Sequence, residues 1–324
     1  KEENIFDENQ RGFRTKRVKA LLVEKIINID GCIDEKTAEK LAEKALEVCG
    51  IKSGDGKKDV LFFISTLQLE ELAQTVIEIH NNSDMKDTQK KEILKRALKE
   101  KPSVDLVLFG RMAANDPDLN FDAAAQVAHS ISTHSVSNEY DYFTAVDDCA
   151  VEDNSGAGHL GTIEFNSSTL YRYATVNVRE LAEHLNMEET REAVKGFAEA
   201  FLKSMPTGKQ NTFANRTLPD MVYITIRMDQ PVNLVNAFEK PIPTGENGYV
   251  EKSKQAFVQY TQNVYNQWVS EPIAAWHIGQ NCDELGKDVN YVQLIGNLTL
   301  LIGAILSLYE GKEVIILNQN IIYL

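Results

Sequence analysis

The feature that most constrains the fold is a change in hydrophobic periodicity near residue 104. Before it, apolar residues recur at helical spacing, most clearly over 18–29 and 34–49. After it, most apolar residues fall in short runs of strand length, such as 104–109 and 221–228. The sequence therefore predicts an α+β protein whose first hundred residues are largely helical.

Smaller signals predict further elements. Ser65 and Gln68 form a capping-box pattern for a helix that reaches His80. A helix is also predicted to start at Asp122, because the apolar residues that follow it fit one helix face. The remaining predicted elements are helices near 88–101, 187–204 and 257–268, and strands near 60–64 and 162–178.

Composition restricts the class of protein. The net charge of −14 is unusual for a non-specific nucleic-acid binder, so any RNA contact must use local groups and stacking. The four cysteines form no CxxC pair, which favours a reduced cytoplasmic protein. The start is polar, without a signal peptide, and the apolar run 298–309 is shorter than a bilayer span. Because there is no initiator Met, we expect that the native start lies elsewhere.

The segment 135–161 is irregular and acidic. Six acids and no Lys or Arg lie between Glu139 and Asp153, and Tyr142 and Phe143 stand among them. Long irregular segments in compact proteins are usually functional or disordered. We therefore expect this segment to carry function.

Catalytic motifs are weak throughout. The glycines of 156–161 spell GxGxxG, but an acidic loop precedes them and a strand-like segment follows, which is the wrong context for a dinucleotide site. No P-loop or GxSxG motif occurs. A metal- or nucleotide-dependent enzyme using His129, His134, Asp147 and Asp148 remains the alternative hypothesis.

Three segments taken together are more specific than any single motif. They are 104–112 followed by 128–134, then 141–148 (Asp-Tyr-Phe-Thr-Ala-Val-Asp-Asp), then 159–168 followed by 171–174. In this order and spacing they resemble the CasC-type family, the repeated backbone protein of the type I-E CRISPR-Cas complex Cascade. The segments 14–17, 209–212 and 236–240 continue the resemblance, which covers about residues 11–268.

The resemblance implies an α+β fold shaped like a hand, with an RRM-like (ferredoxin-like) palm, a helical fingers insertion and a protruding thumb hairpin. On this basis residues 1–103 form a mainly helical fingers region with the N-terminal palm strand missing. Residues 104–134 form a palm strand and helix, and residues 135–161 form the thumb. Residues 162–281 form the palm with further helices, and residues 282–324 form a divergent C-terminal tail.

The resemblance also implies a function. Several copies lie side by side along one CRISPR RNA, with other Cascade subunits, and order the guide for pairing with target DNA. It implies no enzymatic activity and no cofactor. The RNA-binding residues that it implies are Arg111, Met112, Tyr142, Phe143, His159, Gly161, Lys209 and Gln210.

These residues have distinct expected roles. Met112 would be an apolar wedge against a base, with Arg111 near phosphate. Tyr142 and Phe143 would pack against bases. His159 and Gly161 would border the thumb, and Lys209 and Gln210 would contact the RNA backbone.

Two departures from the family pattern are expected to matter. Family members begin with a palm strand and a basic segment containing an Arg-Ile-Ser-Ser-Gln-like motif, and nothing similar precedes Lys1. We therefore expect a truncated product that lacks a central palm strand. The apolar stretch after Cys282 fits the family poorly and is expected to be divergent.

Overall fold

The computed structural model describes residues 6–7, 10–51, 61–82, 84–113, 116–145, 159–309, 314–317 and 320–323. The chain forms two compact units, each assembled from separate stretches. Unit 1 comprises Lys1–Gln126, Ala174–Thr207 and Ile295–Leu324, and unit 2 comprises Val127–Tyr173 and Gly208–Leu294.

Helices dominate unit 1 and short strands are most frequent in unit 2. In the described part of the chain the α-helices, α1 to α10 in order, are Val18–Ile29, Glu35–Val48, Thr66–Asn81, Asp87–Ala97, Val104–Phe109, Val178–His184, Met187–Lys203, Gln210–Phe213, Val250–Gln267 and Tyr291–Tyr309. The strands, β1 to β13, are Gly12–Thr15, Phe62–Ser65, Ala125–Val127, Ile131–Ser132, Glu139–Ala145, His159–Phe165, Leu170–Tyr171, Ala174–Val176, Val222–Ile226, Ala274–Ile278, Lys287–Asp288, Val314–Leu317 and Asn320–Tyr323.

The main core of unit 1 is built by the first helices. Leu22 and Ile26 of α1 and Leu72 of α3 have no exposed surface, and Ala38 and Ala42 of α2 pack into the same core. Burying one such large aliphatic side chain contributes about 1.5–3 kcal/mol. The predicted helices at 18–29 and 34–49 are confirmed, because the apolar spacing that predicted them is the face that forms this core.

The start of α3 is fixed by the predicted capping box. The Ser65 hydroxyl accepts from the backbone N–H of Gln68 at 2.9 Å, and the Gln68 side chain accepts from the Ser65 N–H at 3.3 Å. Ser65 also ends β2, which pairs antiparallel with β1 through Gly12↔Ser65. The capping box therefore joins a strand directly to a helix and sets the position of β1.

The strand predicted at 104–109 is wrong, because these residues form helix α5. Ser103 occupies the N-cap position, and Gly110 ends the helix with a φ of 73°. Most of the helix is buried, including Leu106 and Val107 with no exposed surface. A short apolar run that is buried nearly all round has no periodicity to separate a helix from a strand.

The helix predicted after Asp122 is also wrong. The chain there is extended, with β3 paired to β8 and β4 paired to β7 through Ile131↔Tyr171. Val127, one of the apolar residues that fit the predicted helix face, is 56% exposed. Pairing with distant strands decides the conformation here, against a local pattern that fits a helix.

Unit 2 contains a three-stranded sheet in the order β11-β10-β9. Strand β10 runs antiparallel to β9, with Trp276↔Ile224, and parallel to β11. Helix α9 contributes Phe257 and Val258 to a core that includes Leu285. The predicted strand at 221–228 and the predicted helices near 187–204 and 257–268 are confirmed.

Helix α10 is longer than the apolar run seen in the sequence. Within the described residues it is the helix that is long and apolar enough to cross a membrane, by length and composition only, over Tyr291–Leu308. Its window is 44% buried, and a core helix of a soluble protein passes the same test.

Candidate functional site

The β5–β6 hairpin of unit 2 is an exposed element that carries aromatic side chains. The two strands pair antiparallel over their whole length, from Glu139↔Phe165 to Ala145↔His159. Every residue of β5 is exposed. The hairpin overlaps the segment 135–161, for which a thumb is predicted, and its second strand extends beyond that segment to Phe165. The residues between its strands, with Asp147 and Asp148, lie outside the described residues. An isolated two-stranded hairpin is marginally stable in water, so this ribbon needs support from its surroundings.

Phe143 and Gly161 fit together within the hairpin. They are directly opposite each other, and a Cβ added to Gly161 would lie 2.7 Å from Cε1 of the Phe143 ring. No real side chain tolerates that approach, so glycine is needed for the ring to lie across β6. Phe143 is 41% exposed, and Tyr142 beside it is 73% exposed. His159 lies at the start of β6, opposite Ala145.

The base of the hairpin adjoins Lys209 and Gln210. Phe165 at the end of β6 contacts Phe213 of α8, with 5.2 Å between ring centroids. Lys209 precedes α8 in the left-handed conformation, with a φ of 59°, and its side chain is exposed. The Gln210 amide faces Arg216 and, with its oxygen turned toward the guanidinium, accepts hydrogen bonds at 2.5 and 2.6 Å. Four of the residues named from the sequence therefore belong to the hairpin, and two more stand at its base.

Arg111 lies inside unit 1 instead of at a phosphate-binding surface. It is 5% exposed, and its guanidinium donates to the backbone carbonyls of Phe63 (3.1 Å), Leu98 (3.0 Å) and Leu119 (2.9 Å). Burial lowers the pKa of Arg111 to about 10, which still leaves the group charged at neutral pH. The carbonyls take the place of the phosphate that the resemblance implied for this side chain.

Met112 has the opposite environment. Its side chain is 84% exposed, although the preceding residue is buried. A pair of backbone hydrogen bonds between Arg111 and Phe121, at 2.9 and 3.0 Å, holds the chain next to it. Met112 is thus an exposed apolar side chain on an anchored backbone, which suits the expected role of a wedge.

The charge of the hairpin limits what it can bind. The described residues 138–145 and 159–166 include Glu139, Asp141 and Glu164 but no Lys or Arg. Phosphate recognition in proteins relies on Lys, Arg and backbone N–H groups. The ribbon therefore offers rings and carboxylates to a ligand, and positive charge has to come from other residues.

Of the four residues of the alternative site, the structure describes only His129 and His134, and these two do not form a metal site with described residues. His134 is 8% exposed, and its Nε2 accepts from the Thr169 N–H at 3.1 Å while Nδ1 lies 2.9 Å from the Ser135 carbonyl oxygen. This pattern assigns the proton to Nδ1 and leaves no lone pair for a metal. Among the described residues, no three His, Cys, Asp or Glu side chains come together as metal ligands. His129 is exposed, whereas His134 is held by these two hydrogen bonds and by stacking on Tyr249, with 3.6 Å between ring centroids.

Sequence reasoning missed two exposed apolar residues of the hairpin. Tyr140 is 59% exposed and Leu160 is 68% exposed. Alternation of aromatic and acidic residues over 139–142 was a visible strand signal, since every second side chain of a strand shares one face. The prediction of an irregular segment over 135–161 does not use this signal.

The fold and the hairpin define a class of protein: a mixed helix-and-strand protein that presents aromatic side chains on an exposed ribbon. The chain belongs to the family of CT1975-like proteins, which residues 1–299 match. The matched range includes 282–299, the first part of the predicted tail.

Two solved structures are similar to this chain. A chain of a structure titled "CRISPR RNA-guided surveillance complex, pre-nicking" matches with a TM-score of 0.71 and 30% identity, over 91% of this chain and 85% of that chain. A chain of a "CRISPR RNA-guided surveillance complex" matches with a TM-score of 0.55 and 36% identity, over 60% of this chain and 77% of that chain. No curated protein matches the chain.

Proposed function

We propose that this chain is a CRISPR RNA-binding subunit of a Cascade-type surveillance complex. More specifically, it is the backbone subunit of a type I-E complex, and several copies line one guide RNA. The chain acts by binding and performs no chemical step. Its partners are the CRISPR RNA, further copies of itself, other Cascade subunits, and target DNA through the guide.

The observation that carries the proposal is the extent of the likeness to chains of RNA-guided complexes. The first similar chain covers 91% of this chain at 30% identity, so the likeness includes both units and is not confined to one common motif. The family match over residues 1–299 agrees with it.

The hairpin supplies a physical reason why such a chain would bind RNA despite its net charge of −14. Base stacking on aromatic side chains contributes about 1–3 kcal/mol per base and tolerates any sequence. Tyr142 is available for stacking, and Met112 is available as a wedge. A guide whose sequence differs from one complex to the next requires this kind of sequence-independent contact.

The remaining assignments follow from the proposal. The three-stranded sheet of unit 2 belongs to an RRM-like palm, the helices α1 to α4 form the fingers, and the β5–β6 hairpin is the thumb. Phosphate neutralisation comes from exposed cations such as Lys209 at the hairpin base.

The test is reconstitution with partners. The full chain is co-expressed with other Cascade subunits and a CRISPR RNA, and the purified complex is treated with nuclease. We expect protection of the guide that is interrupted at regular intervals, one for each copy. Absence of RNA from a fully assembled complex would refute the proposal, and uniform protection without intervals would refute the repeated arrangement.

A second test addresses the phosphate contact of Lys209. Replacing Lys209 by Gln removes one cation, so the slope of log affinity against log salt should fall by about 1, with binding weakened for all sequences alike. Lys44→Gln is the matched control, because Lys44 is an exposed lysine on α2 in unit 1. Equal slopes for Lys209→Gln and the unchanged chain would remove Lys209 from the interface.

A further inference from the structure

Unit 2 contains a groove of about 500 Å³ between the last turns of helix α9 and the segment 230–236, which follows strand β9. Tyr260, Val264 and Trp268 form the helical side of the groove. Because these residues recur every four positions, they share one face of the helix and its end. The volume is within the range of about 300–1,000 Å³ that is usual for ligand-binding clefts.

The floor of the groove is held in place by the core, whereas one end is open. Tyr260 and Val264 are half-buried and pack, together with Val232 of the opposite side, against a core that includes Phe257. Trp268 is 79% exposed, although its indole is a large apolar group. A firm apolar floor beside an exposed indole is typical of a surface that a partner covers.

The charge of the groove restricts the class of partner. The described residues that line it include the amides Gln230, Asn233 and Asn236, but no Lys, Arg, Asp or Glu. Arg227 and Asp229, which precede the segment, pair with each other at 2.8 Å. Phosphate recognition relies on cations, so the lining does not suit a nucleic-acid backbone. Charge complementarity therefore favours an uncharged segment of a protein.

Two hydrogen-bond donors of the groove have no acceptor among the described residues. The side-chain oxygen of Asn233 accepts from the Tyr171 hydroxyl at 3.0 Å and from the Val235 N–H at 3.1 Å. These bonds fix the orientation of the amide and leave its NH₂ group as a donor for a partner. The indole N–H of Trp268 is available in the same way. The groove thus suits a partner that brings free carbonyl groups.

Free carbonyls without N–H groups are a property of proline-rich segments. A polyproline II helix has no internal hydrogen bonds, so its carbonyls can accept from a partner, and proline has no N–H that needs an acceptor. An α-helix in the same groove would use most of its carbonyls internally. Proline-rich segments are recognised in general by grooves lined with aromatic side chains.

The spacing of the two aromatic residues agrees with this conformation. Tyr260 and Trp268 are eight residues apart along α9, and this number of helical residues advances about 12 Å. A polyproline II helix advances about 3.1 Å per residue, so about four of its residues span the same distance. The groove therefore holds a little more than one turn of such a helix between the two rings.

We propose that this groove binds a proline-rich segment of a partner protein in the polyproline II conformation. Trp268 packs on a proline ring of the partner, and the Asn233 amide donates to a partner carbonyl. Proline-rich sequences are common in extended linkers, so the partner is attached through such a linker or tail and not through a folded surface. The site is separate from the β5–β6 hairpin, and its occupation does not depend on RNA.

The experiment uses the full chain with a blocked oligoproline peptide as the probe and a blocked Gly-Ser peptide of equal length as the control. The chain has two tryptophans, and Trp276 is only 7% exposed, so quenching by acrylamide reports mainly on Trp268. We expect the oligoproline to reduce this quenching in a saturable manner, because it covers the indole. The Gly-Ser peptide should leave the quenching unchanged.

Variants are compared by the fluorescence anisotropy of a labelled oligoproline. Trp268→Ala should weaken binding by about 30-fold or more, which is the effect of removing a central interface tryptophan. Asn233→Asp keeps the oxygen that holds Tyr171 and Val235 but removes the free donor, so binding should weaken by about fivefold to 150-fold. Leu218→Ala is the matched control, because Leu218 is 73% exposed in unit 2 and does not line the groove.

Several results would overturn the proposal. Equal protection of Trp268 by the two peptides, or by neither, would mean that the groove does not select proline. Protection by an oligouridylate would assign the indole to a nucleic-acid base. Protection that rises with protein concentration in the absence of peptide would assign the groove to a second copy of the chain. Unchanged affinity in both Trp268→Ala and Asn233→Asp would place the peptide elsewhere on the protein.

Discussion

The buried guanidinium of Arg111 gives the most direct prediction about stability. Replacing Arg111 by Leu removes a cation that donates to three backbone carbonyls, those of Phe63, Leu98 and Leu119. These carbonyls belong to a strand, to the end of a helix and to a short 3₁₀ turn, so the side chain connects three parts of unit 1. We expect Arg111→Leu to destabilise unit 1 substantially.

The magnitude follows from the contacts. A hydrogen bond to a charged group contributes about 1.5–3 kcal/mol. The three bonds are not independent, and the Leu98 carbonyl keeps a donor because the Gln68 amide also donates to it at 2.7 Å. We therefore count only the two bonds to Phe63 and Leu119 and expect a loss of about 3–6 kcal/mol, which is below the simple sum of three bonds.

The assay is urea unfolding followed by circular dichroism at 222 nm. Tryptophan fluorescence does not report on unit 1 directly, since Trp268 and Trp276 both belong to unit 2. Arg96→Leu is the matched control: Arg96 has a 66% exposed side chain and an ion pair with Glu100, and its loss should cost less than about 1 kcal/mol. Equal unfolding midpoints for Arg111→Leu and Arg96→Leu would refute the reasoning.

Three further predictions concern the hairpin, a buried histidine and the cysteines. In Gly161→Val the new side chain displaces the Phe143 ring, at a cost of about 1–3 kcal/mol of stability. Amide hydrogen exchange in the hairpin should therefore accelerate, and unchanged exchange would contradict the contact. His134→Phe keeps an aromatic ring but leaves the half-buried Thr169 N–H without its acceptor, so unit 2 should lose about 1–3 kcal/mol of stability, measured by tryptophan fluorescence. An unaltered unfolding midpoint would argue against the hydrogen bond. Burial raises the pKa of the Cys49 thiol to about 12, whereas Cys32 is exposed. Iodoacetamide at pH 8 should therefore alkylate Cys32 before Cys49, as followed by mass spectrometry of peptides. The reverse order would show that Cys49 is not buried.

Local signals in the sequence were sufficient for the long helices. The apolar face of 18–29 and the capping residues Ser65 and Gln68 involve contacts within one or two turns, so their interpretation needs no knowledge of the rest of the chain. The same holds for α9, whose Phe257 face packs as its spacing predicts. Periodicity is a reliable signal where an element is long and only one of its faces is buried.

Short buried segments lacked such a signal. The run 104–109 is buried on nearly all sides and the segment 125–132 pairs with strands about forty to fifty residues away, so neither conformation depends mainly on local sequence. The acidic segment 135–161 was predicted as irregular, although 139–145 and 159–165 form a regular ribbon. Acidic and aromatic residues alternate there because both faces are largely exposed, and hydrophobic patterning is weak in such a ribbon.

The sequence by itself determined the family resemblance, the helical first hundred residues and the concentration of aromatic residues in one acidic segment. Only the tertiary structure decided which of the named residues are exposed and which are buried. The resemblance implies a phosphate contact for Arg111, but its guanidinium donates to three backbone carbonyls. Tyr140 is not among the residues that the resemblance implies, but it shares an exposed face with Tyr142. The reason is that exposure and hydrogen-bond partners are set by elements distant in the chain, and a guanidinium binds a carbonyl or a phosphate according to which of them the fold brings near.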